Sequence, residues 1–262
     1  MIAVISLAIL WLYALITGLS PSVLRAVVMF SFLAIARPWS RTTNAYNTLA
    51  VSALCMLIWD PYLIFSVGFQ LSYVAVLGII HLYRQILTMW EPQRVALVEI
   101  WKVIAVSLAA QAATFPLGLL YFHQFPNYFL LANLLVVPLS SAILVGGLIL
   151  VGISFSSILA SGVGWILTWA IRLLNGIIFT MEDLPFAVSE GIYISVPQVL
   201  LLFAFIAVLF LLLEKRKYSY VIASFMIVVA LESLQWWHFF RDVNVRKLVV
   251  YDIPGHTAVD MV

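Results

Sequence analysis

Long apolar segments, almost free of charged residues, follow one another along the whole chain. An α-helix needs roughly 20 apolar residues, within a working range of about 17–25, to cross the hydrocarbon core of a bilayer. Nine segments come close to that length: 2–18, 21–37, 43–59, 61–83, 101–122, 127–153, 158–181, 196–213 and 218–239. Lipid offers backbone groups no hydrogen-bond partners, so such a segment must be helical. The pattern predicts an all-α polytopic membrane protein with about nine transmembrane helices.

Composition excludes a soluble domain. Hydrophobic residues make up 65% and charged residues 9% of the 262 residues. An ordinary soluble domain contains about 45–50% apolar and about 25% charged residues. The surface of a soluble fold with this composition would be largely apolar and would aggregate. The formal net charge of +2 does not by itself predict a nucleic-acid-binding surface.

Two segments depart from the apolar pattern. Residues 84–100 carry several charges and too few apolar residues in a row to span, which predicts an amphipathic segment lying on the membrane surface. Residues 248–253 and 258–262 read as short strands around a turn at Pro254-Gly255-His256, so we expect a hairpin-like C-terminal tail. The chain is therefore divided into a transmembrane domain, residues 1–240, and the start of a soluble C-terminal region, residues 241–262.

Basic residues between the spans predict the orientation, because cytoplasmic loops are enriched in Lys and Arg. Nine alternating spans place three basic clusters on one side: Arg37 with Arg41, then Arg84, Arg94 and Lys102, then Lys215, Arg216 and Lys217. This arrangement predicts a cytoplasmic N-terminus and an external tail after Trp236-Trp237.

Polar side chains recur on single helix faces in three of the spans. The stripes are Ser66, Gln70 and Tyr73; Ser107, Gln111, Thr114 and Gly118; and Thr168, Arg172 and Asn175. Residues three or four positions apart share one face of a helix. Such residues either hold neighbouring helices together or line a wet cavity. Three stripes in one chain favour a cavity, and we expect Gln70, Gln111, Thr114 and Arg172 to face it together.

Two arginines lie at membrane depth. Arg25 and Arg172 fall inside predicted spans, where insertion scales assign each a cost of about 2.5–3.5 kcal/mol. Only Glu232 offers an acid at a comparable depth. Arginine and lysine side chains line anion and phosphate pores, so the pair predicts a cationic constriction in the outer half of the membrane. The alternative for Arg25 is that its side chain reaches outward to a lipid headgroup.

Proline and glycine interrupt the predicted span at 127–153. Asn133 is followed by Pro138, by Ser140-Ser141 and by Gly146-Gly147. Proline removes a helical hydrogen bond, and broken helices at membrane depth often line transport pathways. An ordinary proline kink is the alternative.

Catalytic motifs are absent from the sequence. The four histidines, His81, His123, His238 and His256, lack metal-ligand spacing, and no phosphate-binding loop of the ATPase type occurs. We therefore expect no enzymatic activity, no metal and no cofactor. The single cysteine, Cys55, lies in an apolar segment and is expected to be a buried, inert thiol.

Three sequence blocks resemble the membrane channel domain of the ComEC family of DNA-uptake proteins. They are residues 17–26 (TGLSPSVLRA), 60–73 (DPYLIFSVGFQLSY) and 109–120 (AAQAATFPLGLL), and the resemblance extends over roughly residues 10–215. It implies a multi-pass channel in the bacterial cytoplasmic membrane that imports single-stranded DNA during natural transformation. The implied partners are the lipid bilayer and other components of the competence machinery, namely a DNA receptor and a cytoplasmic motor. Self-association into a homo-oligomer is left open.

The candidate DNA-contacting, pore-lining residues combine the stripes with the membrane-depth charges: Arg25, Gln70, Tyr73, Gln111, Thr114, Asn133, Arg172 and Asn175. A transporter of a small anionic solute and a non-conducting membrane scaffold remain alternatives. The tail resembles only the first strand of the metallo-β-lactamase-like domain found downstream in many members of that family, and it contains no metal-binding motif.

Overall fold

A computed structural model describes residues 2–19, 21–36, 44–244, 248–253 and 256–261. Within these ranges the chain forms nine α-helices, one 3₁₀ helix and four short strands. The helices are α1 (Ile2–Ile16), α2 (Pro21–Ala36), α3 (Ala45–Trp59), the 3₁₀ helix (Pro61–Phe65), α4 (Val67–Leu87), α5 (Val95–Phe122), α6 (Phe129–Gly152), α7 (Ser157–Glu182), α8 (Val196–Lys215) and α9 (Tyr218–Asn244). The strands are β1 (Gln124–Pro126), β2 (Val188–Glu190), β3 (Leu248–Ile253) and β4 (His256–Met261).

The all-helical class is confirmed, and each α-helix overlaps one predicted span. Six of the helices in the described ranges, α4 to α9, are long and apolar enough to cross a membrane. The first three, α1 to α3, have 15, 16 and 15 residues and fall short of the length that an untilted crossing requires. The chain is thus a multi-pass membrane protein with six candidate spans and three shorter apolar helices.

The predicted amphipathic segment at residues 84–100 does not form an element of its own, and its position on the membrane surface stays a prediction. Arg84 lies in the last turn of α4, and α5 already begins at Val95. The Trp101 indole donates to the backbone carbonyl of Leu87 at 3.0 Å and packs edge-on against Trp90 with ring centroids 5.4 Å apart. These contacts join the two helix ends, and the residues between them, 88–94, form a non-helical connection.

Two predicted spans differ in detail from the observed helices. The span at 61–83 is divided, because Ser66 ends the 3₁₀ helix and its hydroxyl accepts from the Phe69 N–H at 3.1 Å to cap α4. The span at 127–153 is one continuous helix despite Pro138, so it is a proline-containing helix and not a broken one. Ser140 and Ser141 both donate to the Val137 carbonyl, at 3.0 and 2.8 Å.

The structure divides into two compact units, residues 1–194 and 195–262. In the first unit the most extensive helix pair is α4 with α5. Gly78 allows this close approach, since a Cβ atom at that position would lie 2.8 Å from the Ala109 carbonyl oxygen and closer still to the Ala113 Cβ. Small residues at a membrane helix interface let two backbones approach closely.

The second unit contains α8, α9 and the tail. The side chains of Gln198 and Gln235 join the two helices, with the Gln198 amide donating at 2.7 Å. Strands β3 and β4 pair antiparallel from Leu248 opposite Met261 to Ile253 opposite His256, which confirms the predicted hairpin. Of the predicted turn, Pro254-Gly255 lies outside the described residues, whereas His256 begins β4. The basic residues Arg37, Arg41, Arg246 and Lys247 also lie outside the described residues.

A small antiparallel sheet ties together two loops of the first unit. Strand β1, directly after α5, pairs with β2, which follows α7. The Asn127 amide donates to the Phe186 carbonyl at 2.7 Å and to the Ser189 hydroxyl at 2.9 Å. The ends of α5 and α7 therefore lie together, in agreement with the alternation of spans from which the orientation was predicted.

Candidate anion-binding site

A cavity of about 580 Å³ lies in the first unit, between α2, α4, α5 and β1. We call it the Arg25 cavity. Its lining combines one cation, several hydrogen-bonding side chains and three phenylalanines: Arg25, Gly68, Leu71, Ser72, Ala75, Gln111, Thr114, Phe115, Gly118, Phe122, Gln124, Phe125 and Pro126. The volume falls within the range of about 300–1,000 Å³ that is usual for small-molecule sites.

Arg25 is the charged group of this cavity, and it has no counterion among the described residues. Its side chain is only 5% exposed, and its Nε atom is buried without a hydrogen-bond partner. No carboxylate among the described residues forms an ion pair with it. A buried charge without a partner destabilises a fold. The penalty for burying one ion, after the protein has relaxed around it, is several kcal/mol. The cavity therefore contains a cation that lacks an anionic partner.

The connection between α3 and α4 positions the wall of the cavity that α4 forms. The Asp60 carboxylate accepts from the Tyr62 N–H at 3.0 Å and caps the 3₁₀ helix, while Ser66 caps α4. The Gln70 amide donates back to the Ile64 carbonyl at 2.8 Å and fixes the 3₁₀ helix against α4. This arrangement brings Gly68 beside the guanidinium, where a Cβ atom would lie 3.6 Å from one terminal nitrogen of Arg25.

Another wall of the Arg25 cavity is the polar face of α5. Gln111, Thr114 and Gly118 all line the cavity, so the structure brings three residues of the predicted α5 stripe to Arg25. The Thr114 hydroxyl donates to the Ala110 carbonyl of its own helix at 2.9 Å, which leaves its oxygen free to accept. The Gln111 side chain makes no hydrogen bond to any described residue and is free to bind a ligand.

The polar stripe of α4 packs between helices instead. The Tyr121 hydroxyl donates to the Gln70 side-chain oxygen at 2.7 Å. The Tyr73 hydroxyl donates to the fully buried Ser52 hydroxyl at 3.3 Å, and the Tyr73 ring lies 4.4 Å from that of Phe69. These two candidate residues thus act as interhelical contacts around the cavity and not in its lining.

The remaining candidates lie on α6 and α7. Arg172 is exposed, lies 5.4 Å above the Trp169 ring and lines a different, mostly apolar pocket of about 610 Å³. Asn175 is exposed on α7 and Asn133 is half-buried on α6; neither lines the Arg25 cavity. The structure therefore does not gather Gln70 and Arg172 with Gln111 and Thr114 in one cavity, and a pore-lining role for Arg172, Asn133 and Asn175 stays a prediction.

Several lining residues were not identified from the sequence. On α4 they are Gly68, Ser72 and Ala75, which recur at positions i, i+4 and i+7. That spacing of small residues marks one helix face, so it was a usable signal. On α5 and β1 they are Phe115, Phe122 and Phe125. Aromatic residues are so frequent in this chain that these three carried no distinguishing signal.

A metal site is not evident in the described part of the chain, where no three His, Cys, Asp or Glu side chains gather closely enough to hold an ion. Cys55, expected to be buried, is an exposed free thiol beside a separate apolar pocket formed with Trp11 and Trp59. Any experiment with introduced cysteines therefore requires its removal.

Cysteines introduced into the Arg25 cavity should react with small hydrophilic thiol reagents. In a Cys55→Ala background we expect Gln111→Cys and Thr114→Cys to be modified, because both positions line the cavity that contains the Arg25 charge. Leu148→Cys is the control, since Leu148 is exposed on the apolar helix α6 and a thiol in lipid neither ionises nor meets the reagent. Mass spectrometry of membranes treated with the reagent measures the modified fraction. Equal protection at all three positions would show that the cavity is dry.

Comparison with known proteins adds to the geometry. The family model described as "Competence protein" matches residues 1–216 of the chain. The "ComE operon protein 3" of Bacillus subtilis (strain 168) is 29% identical over 233 residues, covering 83% of this chain and 27% of the relative. The chain thus spans little more than a quarter of that relative's length. No solved structure matches this chain.

Proposed function

We propose that this chain, which belongs to the competence protein family, forms the membrane part of a channel for single-stranded DNA. The channel would import the strand across the cytoplasmic membrane of a bacterium during natural transformation. Family membership implies a role in DNA uptake. The passage of the strand through this chain, and its route past Arg25, are our proposal.

The uncompensated charge of Arg25 carries the proposal. A side chain that is 5% exposed, with a buried Nε that has no hydrogen-bond partner among the described residues, is suited to binding an anion that arrives from outside the fold. A DNA strand brings one negative charge per nucleotide and so offers successive phosphates to one cationic site. Contacts to phosphate carry no sequence information, so import through this site should be indifferent to the DNA sequence.

The size of the Arg25 cavity supports a single strand over a duplex. At about 580 Å³ it lies within the range of small-molecule sites, so it suits one nucleotide unit and not a base-paired helix. Gln111 and Thr114 add neutral hydrogen-bonding groups beside the cation. Such groups allow a phosphate to bind and to leave again, which conduction requires.

Two alternative functions fit part of the same structure. The same cation and the same volume would suit a small organic or inorganic anion, which favours a solute transporter. The interhelical hydrogen bonds Tyr121–Gln70 and Tyr73–Ser52 are what a non-conducting scaffold would also contain. Neither alternative accounts for the competence family, whereas the channel accounts for both the family and the cavity.

The proposed role needs components beyond this chain. We propose that a DNA receptor delivers the strand and a cytoplasmic motor supplies the energy, because the sequence contains no ATP-binding loop. We further propose that no reaction is catalysed here and that no cofactor is bound. Whether copies of the chain assemble around one pathway can be measured by cross-linking in the membrane.

A transport assay distinguishes the channel from the solute transporter. The protein, with its competence partners, is reconstituted in vesicles or assayed in competent cells that produce it. We expect uptake of a labelled single strand to exceed uptake of labelled phosphate or mononucleotide, and strands of unrelated sequence to enter equally. Transport of the small anions without DNA would establish the transporter, and transport of neither at normal membrane abundance would favour the scaffold.

A further inference from the structure

One wall of the Arg25 cavity is aromatic. Phe115 of α5 and Phe125 of β1 meet edge to face, with ring centroids 5.3 Å apart and an interplanar angle of 88°. Phe125 also contacts Phe129, with ring centroids 5.8 Å apart, and Phe129 is not part of the cavity lining. A third ring, Phe122, lines the same cavity and is 54% exposed. A cation and an aromatic surface therefore line one cavity.

This wall is fixed before any ligand arrives. Phe125 lies at the centre of β1, opposite Ser189 of β2. The loop beyond it is held by the hydrogen bonds that Asn127 makes to Phe186 and Ser189. A ring held in this way loses little conformational freedom when a ligand binds. Little entropy cost is therefore subtracted from the free energy of its contact with the ligand.

We propose that the Arg25 cavity is a binding site for one nucleotide of the strand, with the phosphodiester on Arg25 and the unpaired base against Phe115 and Phe125. The proposal rests on the proposed function, because it assigns a base-contacting surface to the site that was inferred to bind the phosphate. Every base has a π-face, so aromatic stacking tolerates any sequence. In a duplex those faces are covered by neighbouring base pairs.

The site then recognises single-stranded DNA by two independent features. The phosphate contact depends on the charge of Arg25, and the stacking contact depends on the exposed face of an unpaired base. A backbone without bases would keep the first contact and lose the second. This difference separates the two claims experimentally without any change to the protein.

The test measures binding to the purified chain in lipid nanodiscs by fluorescence anisotropy. The probes are labelled hexathymidylate, labelled hexadeoxyadenylate and an abasic hexamer with the same number of phosphates. We expect the two base-containing probes to bind within a few-fold of one another and the abasic probe about tenfold more weakly, as expected from the usual strength of stacking on aromatic side chains. The double variant Phe115→Leu/Phe125→Leu should weaken hexathymidylate to the level of the abasic probe and leave abasic binding unchanged. Phe129→Leu, which alters the neighbouring ring outside the cavity lining, is the matched control.

The outcomes separate the inference from the function on which it rests. Equal binding of abasic and base-containing probes by the unaltered chain would overturn base stacking, whatever the variants do. If Arg25→Gln then still weakened both probes equally, the phosphate site would stand without it. If the unaltered chain bound none of the probes, or if Arg25→Gln changed nothing, both the stacking inference and the phosphate site would fall.

Discussion

Arg25→Gln should lower the import of single-stranded DNA about 10- to 100-fold. A hydrogen bond to a charged group contributes about 1.5–3 kcal/mol, and each loss of about 1.4 kcal/mol weakens binding tenfold. Glutamine keeps a polar side chain of similar reach but removes the charge. The measurement is the uptake of labelled strand, or transformation frequency, normalised to the amount of the protein in the membrane. Lysine at the same position should restore import in part, since it returns the charge without the planar fork of donors.

The same substitution should leave the fold at least as stable as before. Arg25 is buried and forms no ion pair with any residue that the structure describes, so the neutral side chain relieves a destabilising charge. A purely structural role for Arg25 predicts the opposite, namely a loss of stability together with a loss of import. Thermal unfolding in detergent, measured beside the import assay, distinguishes the two roles.

Arg172→Gln is the matched control for Arg25→Gln. Both variants remove one arginine from a membrane-depth position, but Arg172 is exposed, lies over Trp169 and lines a different pocket. We expect a much smaller effect on import. If the two variants reduced import equally, the sequence-based prediction of a shared cationic constriction would be favoured over a site centred on Arg25.

Gly78→Val should strongly reduce the amount of folded protein. A Cβ atom at Gly78 already meets the Ala109 carbonyl oxygen at 2.8 Å and the Ala113 Cβ, and a branched side chain adds two further carbons at the closest point of the α4–α5 pair. Forcing extra atoms into a packed interface usually costs about 1–3 kcal/mol and sometimes more. We expect a loss at the upper end of that range, seen as a several-fold lower abundance in membranes and a lower unfolding temperature.

Gly147→Ala is the control for the Gly78 variant, because no atom lies within 4 Å of a Cβ built there on helix α6. It should leave stability unchanged or slightly raised, as alanine is the better helix former. Adding Ala113→Gly to a Gly78→Ala variant should restore part of the lost stability by removing one of the two obstructing groups. Normal abundance of Gly78→Val would contradict the observed packing of α4 on α5.

The positions of the helices could be predicted from the sequence because lipid imposes them. A span must be apolar along its length and must satisfy its own backbone, so α1 to α9 could be located without any tertiary information. The polar face of α5 was also predictable. Gln111, Thr114 and Gly118 share a face, and that face does line the Arg25 cavity.

The partners of the polar side chains could not be predicted from spacing. Gln70 and Tyr73 also share a face of α4, but they contact Tyr121 and Ser52 on neighbouring helices. Helical periodicity states which residues lie together on one helix; it does not state whether that face meets water or another helix. The same limit applies to residues 84–100, where the Trp101 hydrogen bond to Leu87 is a tertiary contact that the local charge pattern does not reveal.

The α3–α4 connection shows how a recognisable motif relates to the site. Three polar residues of the segment 60–73 serve local structure: Asp60 and Ser66 cap helices, and Gln70 holds the 3₁₀ helix. Their combined effect is to place Gly68 beside Arg25. The motif therefore contributes to the candidate site mainly by positioning, while the charge comes from α2 and the hydrogen-bonding groups from α5.

The most direct test of the account locates DNA in transit. A single strand carrying photoreactive nucleotides is stalled during import by a bulky protein bound to its trailing end, and the cross-linked peptides of this chain are then identified by mass spectrometry. We expect cross-links to the walls of the Arg25 cavity, above all to the segment of α5 and β1 that contains Thr114, Phe115 and Phe125. Cross-links confined to the Arg172 pocket or to surface loops, in cells where the strand is demonstrably stalled, would contradict it.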